Sequence, residues 1–438
     1  MSTWTSLLDT IVDRGRSLVG LKGNGRAETL DLIAATERLL GVRGEASGVA
    51  LARDILARVD HAPTAERLAY LTTLADKFGA DRARLDKAIS AWKEHPDARA
   101  ELEVHKAAEP RRQEVIRRLN LAPGGTAALV KLREHLLTQL PGRPDLAPLD
   151  ADFVHLFSSW FNRGFLVIRR IDWTTPAHIL EKIIAYEAVH EIKSWDDLRN
   201  RLQPRDRRCF AFFHPQLIDE PLVFVEVALS GAIPDAIAPL LDIHRRPGLP
   251  EEATTATFYS ISNCQEGLRG ISFGHFLIKQ VVEELKKELP GLTTFVTLSP
   301  VPGFAAWLDG EIANSSALLG TPERAMLSGP QGSVDRTAAT PALMTAAATY
   351  FLLARNSAGR PVDPVARFHL GNGARLERLN ADGDLSDKGL RQSRGLMVNY
   401  LYDLEALEAN HEAYAERAEV VASPAVKKLL RIEKAKPK

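Results

Sequence analysis

The chain has 438 residues, 56 basic against 56 acidic side chains, and 45% hydrophobic residues, which is the make-up of a globular protein long enough for two or three full cores. A net charge of zero argues against a protein that lives on nucleic acid, and no apolar run approaches the ~20 residues of a membrane helix. Cys209 and Cys264 are too few for a disulfide framework or a cysteine-rich zinc site, so both are expected as buried thiols.

Met1 to Gly20 carries Asp9 and Asp13 within an amphipathic stretch and lacks the apolar core and small-residue cleavage site of a secretion signal. The last residues, Lys434 to Lys438, are basic and are not a Ser-Lys-Leu address. A cytoplasmic location is the expectation.

Up to about residue 140 the pattern is helix after helix. Leu68, Leu71, Leu74, Ala75 and Phe78 recur at spacings of three and four, between Thr64 as a candidate N-cap and Gly79 as a stop. Leu85, Ala88, Ile89 and Trp92 repeat the pattern, as do Leu129, Leu132, Leu136 and Leu140. Helices this short need partners for their apolar stripes, which predicts an all-α helical bundle over residues 1–148. The Pro/Gly-rich stretch from Pro141 to Pro148 suggests the domain boundary.

After one more helix, about Ala151 to Phe161, β-rich runs appear at Phe165–Ile171, Cys209–Phe213, Leu222–Ala228, Thr255–Ser262 and Thr293–Leu298. Helical stretches at Ala177–His190, Phe273–Leu289 and Pro341–Leu353 intervene, so residues 149–438 read as an α/β domain with a mixed sheet. The fold class is therefore α+β, in two domains.

The strand ending near Ser262 feeds a loop with Gly267, Gly270 and Gly274 that opens into a helix. The first turn of a helix offers unpaired N–H groups to a pyrophosphate, and small residues let it approach. The segment Arg269, Gly270, Ile271, Ser272, Phe273, Gly274, His275 resembles the acyl-CoA loop of the GNAT acetyltransferase superfamily, with Ser272 in place of its middle glycine. The alternative is a tight strand-to-helix turn that binds nothing. Ser299 ends the next strand, where it either faces a thioester or caps the turn before Pro300. His369, between Phe368 and Leu370 and ahead of a Gly-Asn-Gly turn, is a core histidine or a catalytic one. No paired metal spacing is present, and Gly-x-Ser-x-Gly does not surround Ser299.

Taken together, Ser159–Phe165, Glu187–His190, Arg207–Cys209, Glu220–Leu222, Phe258–Ser262, Phe276–Lys279, Leu298–Phe304, Phe368–Ala374 and Gly395–Tyr400 resemble the malonyl-CoA decarboxylase family. The resemblance implies a helical N-terminal domain used in oligomerisation, as a tetramer, and a GNAT-like C-terminal domain that converts malonyl-CoA to acetyl-CoA and CO2 without metal or prosthetic group. By motif it makes Ser299 and His369 catalytic and Arg269 to His275 the CoA loop. Some relatives carry a glutamate where this chain has Ser272. Loss of CO2 leaves a thioester enolate that must be stabilised and protonated at carbon. A histidine with a pKa near 7 suits the proton donor, the role this gives His369, while Ser299 would bind the malonyl carboxylate or thioester oxygen. Tyr400, Tyr402 and Asn372 are candidate pocket residues. The rival readings are a CoA-dependent N-acetyltransferase and a non-catalytic acyl-CoA sensor.

Overall fold

The structure, a computed structural model, describes residues 31–271, 277–328 and 336–430. Its described residues divide into two compact units: 31–166 with His214–Ile218 and 265–271, and Val167–Phe213 with Asp219–Cys264, 277–328 and 336–430.

The first unit is built on α1 (Leu32–Gly41), α2 (Glu45–His61), α3 (Thr64–Lys77), α4 (Arg82–Glu94), α5 (Ala98–Ala108), α6 (Arg111–Asn120), α7 (Gly125–Gln139) and α8 (Ala147–Trp160). Thr64 is the first helical residue of α3 and Pro63 occupies the cap, since a proline there gives up no helical hydrogen bond. The stripe of α4 differs from its neighbours: none of its residues is buried, and Trp92 is 43% exposed. The unit continues past the Pro/Gly stretch at 141–148, because Leu146, Leu149, Phe153 and Phe157 bury their side chains in the helical core.

The second unit runs β1 (Val167–Ile171), α9 (Ala177–Tyr186), α10 (Trp195–Leu202), β2 (Arg207–Phe213), β3 (Pro221–Ser230), α11 (Ala238–Leu241), β4 (Thr255–Asn263), α12 (Leu277–Glu288), β5 (Thr294–Thr297) and β6 (Ser299–Pro300). It continues with α13 (Phe304–Ala313), α14 (Thr321–Leu327), α15 (Arg336–Leu352), α16 (Pro364–Gly371), β7 (Arg375–Asn380), α17 (Asp387–Ser393), β8 (Met397–Leu401), α18 (Leu407–Arg417) and α19 (Pro424–Lys427). Helix α15 begins ahead of Pro341, which sits inside it.

The sheet has the order β1-β2-β3-β4-β5-β8-β6, with β7 on β8. Strands β1 to β4 are mutually antiparallel, β4 and β5 are parallel, and β8 runs antiparallel to β5, β6 and β7, so the sheet is mixed. Every residue of β2 is buried, as a strand covered on both faces requires. Helices α9 and α10 supply one cover: Ile179, Leu180, Ile183, Leu198 and Leu202 pack with Cys209, Ala211, Phe213, Phe224 and Cys264. Both cysteines are buried free thiols.

Two irregularities shape the middle of the sheet. Glu226 pairs with Ser260 and Val227 with Phe258, leaving Tyr259 as an extra residue in β4. The parallel pairing of β4 with β5 then stops at Phe258 and Thr297, after which β4 continues without β5 while Ser299 pairs with Val398 of β8. The strands part there, and the opening becomes a cavity.

Candidate active site

The cavity, of about 260 Å³, is lined by Phe258, Tyr259, Ile261 and Asn263 of β4, Ser299 and Pro300 of β6, Pro364, Val365, Phe368 and His369 of α16, and Val189. Its wall is mostly apolar, with Ser299 and His369 as its buried polar side chains of catalytic type. Ser299 Oγ lies 3.2 Å from His369 Nε2 and donates to Thr297 Oγ1 at 2.9 Å. On the other side of the ring, His369 Nδ1 is 2.8 Å from the Tyr402 hydroxyl. The ring stacks on Tyr400 at 4.6 Å between centroids.

This geometry orders the protons. Burial pushes the Tyr402 phenol well up, so Tyr402 keeps its proton and can donate to an unprotonated Nδ1. With the Ser299 O–H donating to Thr297 Oγ1, the neutral ring carries its hydrogen on Nε2, which donates to Ser299 Oγ, and Nδ1 accepts from Tyr402. The relay runs from Tyr402 through His369 and Ser299 to Thr297. Burial also pulls His369 down to about 3. The expected pKa near 7 is therefore corrected: the imidazole is 3% exposed, and a charged ring there would lose its water without gaining a carboxylate partner.

The supports of the relay come from elements far apart in sequence. Asp363 caps α16, accepting from Ala366 N at 2.7 Å and from the Tyr350 hydroxyl at 3.2 Å, and burial raises its carboxyl to about 6. Thr297 Oγ1 also accepts from Tyr400 N at 3.1 Å, and Thr297 O accepts from Asn399 Nδ2 at 2.7 Å. Asn399 in turn accepts from Asn380 at 2.8 Å and Arg378 at 3.1 Å, which ties β5, β7 and β8 together under the pair. Gly373 closes the turn after α16: its φ is +81°, and a Cβ there would lie 2.3 Å from Leu407 O.

The structure thus brings Ser299, His369, Tyr400 and Tyr402 together. Asn372 sits at the end of α16, where its side chain donates to Phe368 O at 2.6 Å. Of the candidate CoA loop, Arg269, Gly270 and Ile271 are described; Ser272, Phe273, Gly274 and His275 lie outside the described residues. The approach to that loop is tied down by one side chain: buried Arg133 donates to Gly267 O at 2.8 Å and Arg269 O at 2.9 Å while paired with Asp150 at 2.8 Å. Sequence reasoning missed Thr297, although its i, i+2 spacing from Ser299 is a strand's same-face signal. It also missed Asp363, whose Asp-Pro step is a helix-start signature.

Four antiparallel strands, a parallel pair that parts, and a buried Ser–His pair in the opening define an α/β domain with a polar site set in a mostly apolar cavity. The sequence models described as Malonyl-CoA decarboxylase N-terminal domain and C-terminal domain match residues 78–161 and 164–438. The malonyl-CoA decarboxylase of Mus musculus, named as mitochondrial, is 35% identical over 408 residues, 84% of this chain and 82% of its own length. Crystal structures of malonyl-CoA decarboxylases from Rhodopseudomonas palustris (61% identity, TM-score 0.87, 91% of this chain and 98% of that one) and Agrobacterium vitis (59%, 0.87, 91% and 99%) are similar throughout. The chain belongs to the malonyl-CoA decarboxylase family.

Proposed function

We infer that the protein decarboxylates malonyl-CoA to acetyl-CoA and CO2, with the thioester as electron sink. The observation that carries the reading is the buried, uncharged Tyr402–His369–Ser299 relay at the mouth of the β4/β5 opening. An apolar wall holds the malonyl carboxylate poorly and the neutral CO2 well, so the cavity favours the state in which charge has left the carboxylate for the thioester. The C–C bond electrons pass to the thioester oxygen, and the Ser299 O–H, swinging from Thr297 to that oxygen while Nε2–H keeps its bond to Oγ, receives the developing charge, an interaction typically worth ~2.7–4 kcal/mol for one donor.

Protonation completes the reaction. A thioester enolate is a stronger base at carbon than an alkoxide, so the Ser299–His369 pair hands one proton to the CH2 carbon as a unit. The pair is left one proton short, is steadied by Thr297 and Tyr402, and recovers the proton from solvent after acetyl-CoA leaves. One proton is consumed and one CO2 released per turnover.

The remaining assignments are part of the same proposal. Arg269 to His275 hold the CoA pyrophosphate, residues 1–148 serve self-association as a homo-oligomer, and the enzyme works in the cytoplasm without metal or prosthetic group. Among the described residues no helix is long and apolar enough to cross a membrane, and no group of three or more metal-ligand side chains is present. The test is substitution at the relay: His369→Ala should remove most malonyl-CoA turnover while CoA binding, measured by calorimetry, stays nearly intact. A His369→Ala protein with ordinary kcat would overturn the reading.

A further inference from the structure

We propose that the loop Glu187–His190 sets how large an acyl group the cavity accepts, with Glu187 and Lys388 as its positioning residues. The proposal rests on the reading that the cavity beside Ser299 and His369 holds the acyl group. Of the lining residues, Val189 is the one carried by an irregular segment away from both the sheet and α16. Its place must be fixed by side-chain bonds, and two sets of them are visible.

The first is a buried carboxylate. Glu187 Oε1 accepts from the backbone N–H of Val189 at 2.8 Å and of His190 at 2.7 Å. Ser260 donates toward the same carboxylate, with Oγ 2.7 Å from Oε2, and Ser262 Oγ lies 3.3 Å from Oε2. Along β4 these serines alternate with Ile261 and Asn263, which line the cavity together with Phe258 and the bulge residue Tyr259. Glu187 therefore fastens the loop to β4 beside the cavity, and Val189 reaches the lining from there. The second set comes from α17: Lys388 Nζ donates to Ala188 O at 2.8 Å and to Val189 O at 3.0 Å. Lys388 is exposed, so its amine works as an outer clasp on carbonyls whose N–H neighbours Glu187 already holds.

The class of substrate this wall selects against is the 2-alkylated malonyl thioester, which carries its extra carbon at the reacting centre. Loosening Val189 enlarges the space there without touching the relay. The experiment compares kcat/KM for malonyl-CoA and 2-ethylmalonyl-CoA in the full chain and in Val189→Ala, Glu187→Gln and Lys388→Met. A ratio of specificity constants is unmoved by loss of active protein, so general destabilisation does not imitate the result. Val189→Ala should shift the ratio toward 2-ethylmalonyl-CoA by ~10-fold, the low end of what one or two methylenes contribute in an apolar pocket. Lys388→Met should shift it in the same direction by a smaller factor, and the Val189→Ala/Lys388→Met double variant by less than the product, because both act through one wall.

Because Glu187 is buried, Glu187→Gln carries the greater risk of misfolding, and surface Lys388→Met keeps the idea testable. Ratios within twofold of the parent in both Val189→Ala and Lys388→Met would overturn the proposal while leaving the decarboxylase reading in place. Full malonyl-CoA turnover by Val189→Phe would instead show that the acyl group binds elsewhere, and would overturn both the proposal and the placing of the acyl group beside Ser299 and His369, while decarboxylation itself stands.

Discussion

Burial holds the His369 ring neutral, and this has a kinetic and a thermodynamic signature. The profile of kcat/KM for malonyl-CoA, which reports groups of the free enzyme, should show no inflection from His369 between pH 6 and 8. A limb falling above an apparent pKa near 7, lost in His369→Gln, would show that an imidazolium is the acid. In stability the sign follows from the depressed value. Unfolded His369 takes up a proton below about 6.5, whereas the folded ring does so only near 3, so its contribution is full above 6.5 and is lost as the pH falls toward 3. Asp363, raised to about 6, acts in the opposite direction, so the clean measurement is a difference. The stability gap between parent and His369→Gln should shrink by up to ~1.4 kcal/mol per pH unit below 6.5 in urea titrations. Tyr402→Phe removes the donor to Nδ1 and frees the ring tautomer; a drop of ~3- to 10-fold in kcat at constant KM is expected from the loss of one buried hydrogen bond. Ser299 and His369 were legible because specific short motifs surround them. Tyr402 was legible only as a neighbour of Tyr400, since nothing local tells a relay tyrosine from a packed one.

At the scale of elements, the site depends on where α16 stops and β4 loses its partner. Gly373→Ala would place a Cβ against Leu407 O in a left-handed turn, and should cost ~1–3 kcal/mol of stability from backbone strain alone, read by thermal melting; unchanged melting would show that the turn adapts. The β-rich runs that became β1 to β5 were visible because their apolar residues are nearly continuous. Strands β7 and β8 were missed for different reasons. Arg375–Asn380 carries three charged side chains and looks like a helix surface, while Met397–Leu401 contains Asn399, whose buried bonds to Thr297 and Asn380 exist only after the sheet is assembled. Loop Glu187–His190 was noticed as a motif but read as the end of a helix that in fact stops at Tyr186. Its carboxylate ligands come from β4, some seventy residues away in the chain, beyond the reach of any local pattern.

For the whole molecule, amphipathic periodicity announced the helical unit and strand composition the α/β unit, whereas the helical core's extension to Leu166 depended on burial that no Pro/Gly count registers. In that unit Trp92 and Leu102 of α4 and α5 stay 43% and 50% exposed, which is the surplus apolar face that self-association would cover. Trp92→Glu with Leu102→Glu should lower the mass seen by analytical ultracentrifugation; an unchanged mass would move the interface elsewhere. The central claim, an enzyme-protonated thioester enolate, is tested most directly by turning over malonyl-CoA in D2O with excess EDTA and no amine acceptor. The account predicts stoichiometric CO2 and an acetyl-CoA methyl group bearing one deuterium, by mass spectrometry. Acetyl transfer that requires an amine, with no CO2 released from malonyl-CoA, would contradict it.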